Sequence, residues 1–138
     1  LQAIEMEENE ELKADLYFGL AFVAGKNDQN AKARTYAKKA AELRPNWGEP
    51  YILIGNLYAN SQKSCSGIEL PNAIYWAAVD KFNYAKNIDP ESAEKASKQI
   101  EIYRKYFPNK EKAFFLGLNE GDSYQVGCWI NESTKVRF

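Results

Sequence analysis

Apolar residues recur at helical spacing along most of this chain and switch to strict alternation near its end. From about Glu11 to Lys26, Leu12, Leu16, Leu20 and Val23 follow one another at three- or four-residue steps, with Tyr17 and Ala24 widening the face; this predicts a first amphipathic helix. Asn27-Asp28-Gln29-Asn30 breaks the pattern as a turn, because Asn and Asp bond to their own backbone and accept unusual dihedrals. A second helix is expected from about Ala31 to Leu43, stopped by Pro45, which biases Arg44 away from helical angles. Its small residues Ala33, Ala37 and Ala40 leave room for a neighbouring helix.

The next helix is expected from near Trp47 through Tyr51, Ile54, Gly55 and Tyr58. Gly55 costs about 1 kcal/mol of helix propensity relative to Ala, which tight packing would explain. Asn60 to Gly67 is polar and irregular, and helix resumes near Leu70-Pro71 to run through Ile74, Ala78, Phe82 and Ala85 up to Pro90. A further helix is expected from Ser92 to Tyr106, ended by Pro108, and a short one within Asn109 to Leu118 with Phe114 and Phe115 packing back. After Gly121-Asp122 the period becomes two. Tyr124, Val126, Cys128 and Ile130 alternate with Gln125, Gly127 and Trp129, and Lys135 to Phe138 alternates again, predicting a small β-hairpin or extended tail. Two strands alone are marginal in water, so the tail must lie against the helices or pair with another edge.

The helices also repeat. Tyr17, Leu20, Ala21 and Ala24 are followed 34 residues later by Tyr51, Ile54, Gly55 and Tyr58; Ala33, Ala37, Ala40, Leu43 and Pro45 are followed 45 residues later by Ala78, Phe82, Ala85, Ile88 and Pro90. The difference, 45 minus 34, is an 11-residue insertion within the second copy. The opening LQAIEMEEN has Ala3, Ile4 and Met6 spaced much as Ala40, Ala41 and Leu43 are, the end of an earlier unit, so the chain is expected to be part of a longer array. Glu5, Glu7, Glu8, Glu10 and Glu11 that follow suit a solvated helix end or an acidic docking site.

Composition narrows the functional classes. Eighteen Lys and Arg against nineteen Asp and Glu leave a net charge of -1, which gives no general pull toward nucleic acid or anionic lipid, and no apolar run is long enough to insert directly in a membrane. Histidine is absent, which removes the commonest general base and metal ligand, and two cysteines cannot complete an ordinary zinc site. No nucleophile and base constellation is visible, so the expectation is a non-enzyme with no catalytic residue, metal or cofactor. Cys65 lies in the polar insertion and Cys128 in the alternating tail. Either they form a disulfide stapling tail to loop, which for about sixty enclosed residues would stabilise by roughly 4 kcal/mol in the chain-entropy picture, or they are free thiols in a reducing compartment.

A period near 34 with Tyr17-x2-Leu20-Ala21, Ala33-x3-Ala37 and Pro45, then Tyr51-x2-Ile54-Gly55-x2-Tyr58, Ala78-x3-Phe82 and Pro90, resembles the tetratricopeptide repeat (TPR) over roughly residues 11 to 107. The resemblance implies an all-α helical-hairpin solenoid: a first repeat at 11–46, a second at 47–91 with its insertion at 60–70, a capping helix at 92–107 closing the domain 1–107, and residues 108–138 as a short helix and β-like tail packed on it. It implies a scaffold that binds a peptide or protein partner in a groove lined by the first helix of each pair. Groove residues would be Asp15, Phe18, Phe22 and Lys26, then Glu49, Ile52, Asn56 and Asn60, then Glu94, Ser97 and Glu101. Phe18 and Phe22 stand where chaperone-binding TPR domains carry a polar carboxylate clamp, and only Asn56 matches, so an apolar anchor is the expected ligand. Phe18, Phe22, Ile52 and Asn56 are the first candidate contacts. Trp129, opposite Cys128 on the alternating segment, is the next. The alternative is self-assembly, through the tail strand or an open solenoid end, into a homo-oligomer. The tail EGDSYQVGCWINESTKVRF is also similar to the ending of a group of bacterial TPR proteins associated with the cell envelope, which implies a compartment outside the cytoplasm, the cytoplasm being the alternative.

Overall fold

The computed structural model describes Ile4 and residues 8–138; the Ala3 and Met6 comparison and the acids Glu5 and Glu7 lie outside the described residues. Helix α1 (Glu10–Lys26) starts where the Asn9 side chain accepts the Leu12 N–H at 3.0 Å, satisfying one of the donors a first turn leaves unpaired. It ends at Asn27, and Asp28 adopts a positive φ of 59° in a three-residue turn that sends α2 (Asn30–Leu43) back along α1. Ala33, Ala37 and Ala40 are fully buried along α2, as their size anticipates. Helices α3 (Glu49–Ala59) and α4 (Ala73–Ile88) form the next antiparallel pair, for Gly48 at the head of α3 lies against Asp89 and Ser92 beyond the end of α4. The packing expected at Gly55 is present: a Cβ there would stand 2.5 Å from the Phe82 ring, and Phe82 is wholly buried.

A 3-10 turn at Pro90–Ser92 leads into α5 (Ala93–Tyr103), a second 3-10 turn (Arg104–Tyr106) follows, and α6 (Lys110–Phe115) is short. Strands β1 (Ser123–Val126) and β2 (Glu132–Lys135) pair antiparallel, with Tyr124 opposite Thr134 and Val126 opposite Glu132. The molecule is therefore mostly helical with one small two-stranded sheet. Its main core runs through Ile54, Tyr58, Ile74, Trp76 and Phe82 and continues into Val126, Ile130 and Val136 of the tail.

Four expectations require correction. Leu12, Leu16 and Val23 are exposed, whereas Ala14, Tyr17, Ala21 and Ala24 face inward; α1 is apolar around most of its circumference, and the smaller side chains take the side where α2 and α3 come close. Helix resumes at Ala73 rather than Leu70, after a run of turns in which Cys65 and Leu70 point inward. Alternation in the tail stops at Val126, because Gly127 to Asn131 form a turn with Cys128 and Asn131 at positive φ of 61° and 44°, and β2 begins three residues before Lys135. Phe114 and Phe115 do not pack back; of α6 only Ala113 is buried.

Besides the apolar packing of Val126, Ile130 and Val136, the tail is fastened to the helices by polar contacts and one covalent bond. Cys65 and Cys128 form a disulfide with their Cα atoms 5.7 Å apart, joining the loop after α3 to the β1–β2 turn. Arg34 on α2 donates to the carbonyls of Ile130 at 2.6 Å and Trp129 at 3.2 Å, and to the Tyr58 hydroxyl at 2.9 Å. Tyr58 in turn donates to Glu132, which Lys81 also meets. Burial, then the bond to Glu132, pushes the Tyr58 hydroxyl well above the usual phenol range. Burial alone would raise Glu132, but the bonds from Lys81 and Tyr58 outweigh it and hold this carboxylate below its ordinary value. Further along, Arg137 pairs with Asp80 at 2.8 Å, and the Trp76 indole N–H donates to the Arg137 carbonyl at 2.6 Å.

Candidate functional site

Three helices run in the same direction on one side of the molecule. A Cβ at Gly25 would lie 3.0 Å from Leu57, and the Phe18 ring sits 5.1 Å from that of Trp47, so the second half of α1 runs alongside α3 in the same sense. Lys95 reaches Glu49 at 2.9 Å and Gln99 donates to Asn56, which places α5 beside α3 in the same sense. Between the three lies an open cleft of about 400 Å³. Gly25 is part of how it exists, since a side chain there would press on Leu57 and fill the gap between α1 and α3.

The cleft has an apolar floor and polar ends. Ile52, expected as a direct contact, is only 2% exposed; it shapes the floor with Leu53 and Leu57 and does not project. Phe22 projects, 53% exposed, and Phe18 beside it is half-buried because Trp47 covers one face. Asn56 lines the wall, but its amide oxygen is already engaged by Gln99. At one end Glu49 and Lys95 neutralise each other; at the other Lys26 lies 5.2 Å over the Phe22 ring, next to Asn60. A ligand entering here meets a ring, a hydrophobic floor and one cation without a carboxylate partner among the described residues.

The structure brings Phe18, Phe22, Ile52 and Asn56 together and leaves Trp129 elsewhere. Trp129 lies in the β1–β2 turn, its ring 5.3 Å from Tyr58 and 5.0 Å from the Arg34 guanidinium, and its indole N–H donates to Ser61 at 2.9 Å. It is half-buried with its polar atom satisfied and does not line the cleft. The contribution of α5 also differs. Lys95, Gln99 and Tyr103 line the cleft, and Glu94, Ser97 and Glu101 do not, because the flank of α5 turned toward α3 is the one spaced four residues apart from Lys95. That ladder is visible in the sequence; which flank faces inward is not.

Beside the cleft, one carboxylate organises the joint between the helix pairs. Asp89 accepts the Gly48 N–H at 2.7 Å, the Ser92 hydroxyl at 2.8 Å and the Glu91 N–H at 3.1 Å. Burial would raise its proton affinity, but these donors, led by Gly48, draw it below the ordinary range. Gly48 has no room for a side chain, since a Cβ would stand 2.8 Å from Ser92. Among the described residues no cluster of His, Cys, Asp and Glu could hold a metal ion. No family model, curated protein or solved structure matches this chain.

Proposed function

We propose that this chain is a non-catalytic protein-interaction scaffold of the TPR type, which holds an extended or helical peptide segment of a partner in the α1–α3–α5 cleft. The observation that carries the reading is the conjunction of three co-directional helices, one from each successive 34- or 45-residue unit, with a half-exposed Phe22 over an apolar floor. Burying one such ring contributes about 1.5 to 3 kcal/mol, enough for a partner to anchor on one aromatic or aliphatic side chain. An acidic group next to that anchor would meet Lys26. The disulfide supports a setting outside the cytoplasm, where such bonds persist. No described helix is long and apolar enough to cross a membrane.

Selection of displayed random peptides on the folded chain, followed by titration against F18S/F22S, tests the reading. Selected peptides are expected to share an apolar anchor and to bind the double variant roughly tenfold or more weakly, with helix content unchanged by circular dichroism. Equal affinity for the folded variant would remove the cleft as the site. A second reading, self-association, is favoured by the exposed Leu12, Leu16 and Val23 on the outer side of α1. Sedimentation velocity across concentration separates the two, since a monomer throughout excludes assembly through that face over the range measured.

A further inference from the structure

We infer that the tip made by the Arg104–Tyr106 turn and α6 docks peripherally on an anionic lipid surface, a role beyond the cleft and independent of it. Phe114 is 72% and Phe115 87% exposed, and Leu116 after them is exposed as well. With α6 resting on Ala113 alone, all three project outward at the end of a turn closed by Gly117. Consecutive helical residues point about 100° apart, so the two rings fan out. A groove in a partner protein takes side chains three or four positions apart along one line, whereas an interfacial layer of lipid accepts a fan of rings at the same depth.

Charge selects the kind of surface. From Arg104 to Leu116 the exposed cations are Arg104, Lys105, Lys110 and Lys112 against the single acid Glu111, in a chain whose total is -1. Arg104 reaches Glu101 at 3.8 Å, but among the described residues Lys105, Lys110 and Lys112 have no acid within ion-pair distance. The near-neutral total therefore conceals a basic tip. Cations flanking exposed aromatics are the complement of an anionic headgroup layer over an apolar interior, and Tyr106, also exposed, is of a type favoured at that boundary. The contact is shallow and requires no spanning helix.

Co-sedimentation of the intact chain with phosphatidylcholine vesicles, with and without phosphatidylglycerol, tests this. Binding is expected only with the anionic lipid and is expected to weaken as salt rises. F114S/F115S should lower the partition roughly tenfold or more, while F18S/F22S should partition like the parent chain. K105Q/K110Q/K112Q should erase the preference for phosphatidylglycerol. Because all five positions are exposed, helix content by circular dichroism should be unchanged. The inference is overturned if the intact chain stays in the supernatant with phosphatidylglycerol vesicles, or if folded F114S/F115S partitions equally. It is also overturned if these two rings instead support a concentration-dependent dimer in lipid-free buffer.

Discussion

The cleft side and the tail side of this molecule are held together by different physics. On the cleft side, α1 meets α3 at Gly25 and at the Phe18–Trp47 rings, α5 meets α3 through Lys95–Glu49 and Gln99–Asn56, and behind them Gly55 admits the Phe82 ring of α4. On the tail side, thirteen residues from Ser123 to Lys135 make two four-residue strands that cannot sustain themselves. Beyond the burial of Val126, Ile130 and Val136, they depend on a disulfide, on Arg34 and on the Tyr58–Glu132–Lys81 contacts. A repeated helical pair specifies itself by period and shape, while a lone hairpin has to be fastened from outside.

The strongest way to break the contrast is to remove the bridge. C65S/C128S should cost about 2 to 4 kcal/mol in chemical denaturation and raise amide exchange in the β1–β2 segment while leaving the α1–α3 interface protected. Equal loss of protection on both sides would show that the two are one cooperative unit. Alkylation without reductant followed by intact mass checks the bond itself, and modification of both thiols would remove it. Gly55→Ala attacks the other side: the new Cβ meets the Phe82 ring, so a loss of about 1 to 3 kcal/mol is expected despite the better helix propensity of Ala. A gain in melting temperature would refute the close approach.

Removing the Tyr58 hydroxyl is a milder probe. Tyr58→Phe leaves Glu132 and Arg34 each one bond short and should cost about 1 to 2 kcal/mol, seen first as exchange in the tail. The smallest expected effect is on pH. Glu132 and Asp89 both have folded-state proton affinities below the unfolded ones, so the stability they contribute is present above about pH 4 and fades as pH falls through their folded values. Glu132→Gln should flatten the acid limb of the tail's exchange and D89N that of the α3–α5 joint. If each flattened both limbs, the two regions would not be separately held.

How much was legible follows the same division. The ends of α2 and α4 were readable because Pro45 and Pro90 punctuate a 3.6-residue period, and Gly55 announced its own crowding. The inward face of α1 was not, since LYFGLAFVAG is apolar nearly all round and only the neighbours decide which side is covered. In the tail, the alternation read through Cys128 and Ile130 stops because Cys128 and Asn131 take left-handed dihedrals, which residue type favours at Asn131 but does not announce at Cys128. Arg34 was overlooked altogether: its partners at Trp129 and Ile130 lie 95 and 96 residues away, and no local pattern marks a side chain whose role depends on a distant turn. In the cleft, Phe18, Phe22, Ile52 and Asn56 lie together as their spacing on α1 and α3 suggests, whereas α5 presents Lys95, Gln99 and Tyr103 rather than Glu94, Ser97 and Glu101.

The Asp89 joint has a mechanical corollary. Because one carboxylate secures the head of α3 and the approach to α5, and Glu49–Lys95 reinforces the same end, the polar ties between these two helices among the described residues gather toward their beginnings and finish at Asn56–Gln99. Past that point α3 answers to the other side of the molecule, through Tyr58 to Arg34 and Glu132, so a single helix carries the seam between the open cleft and the stapled hairpin.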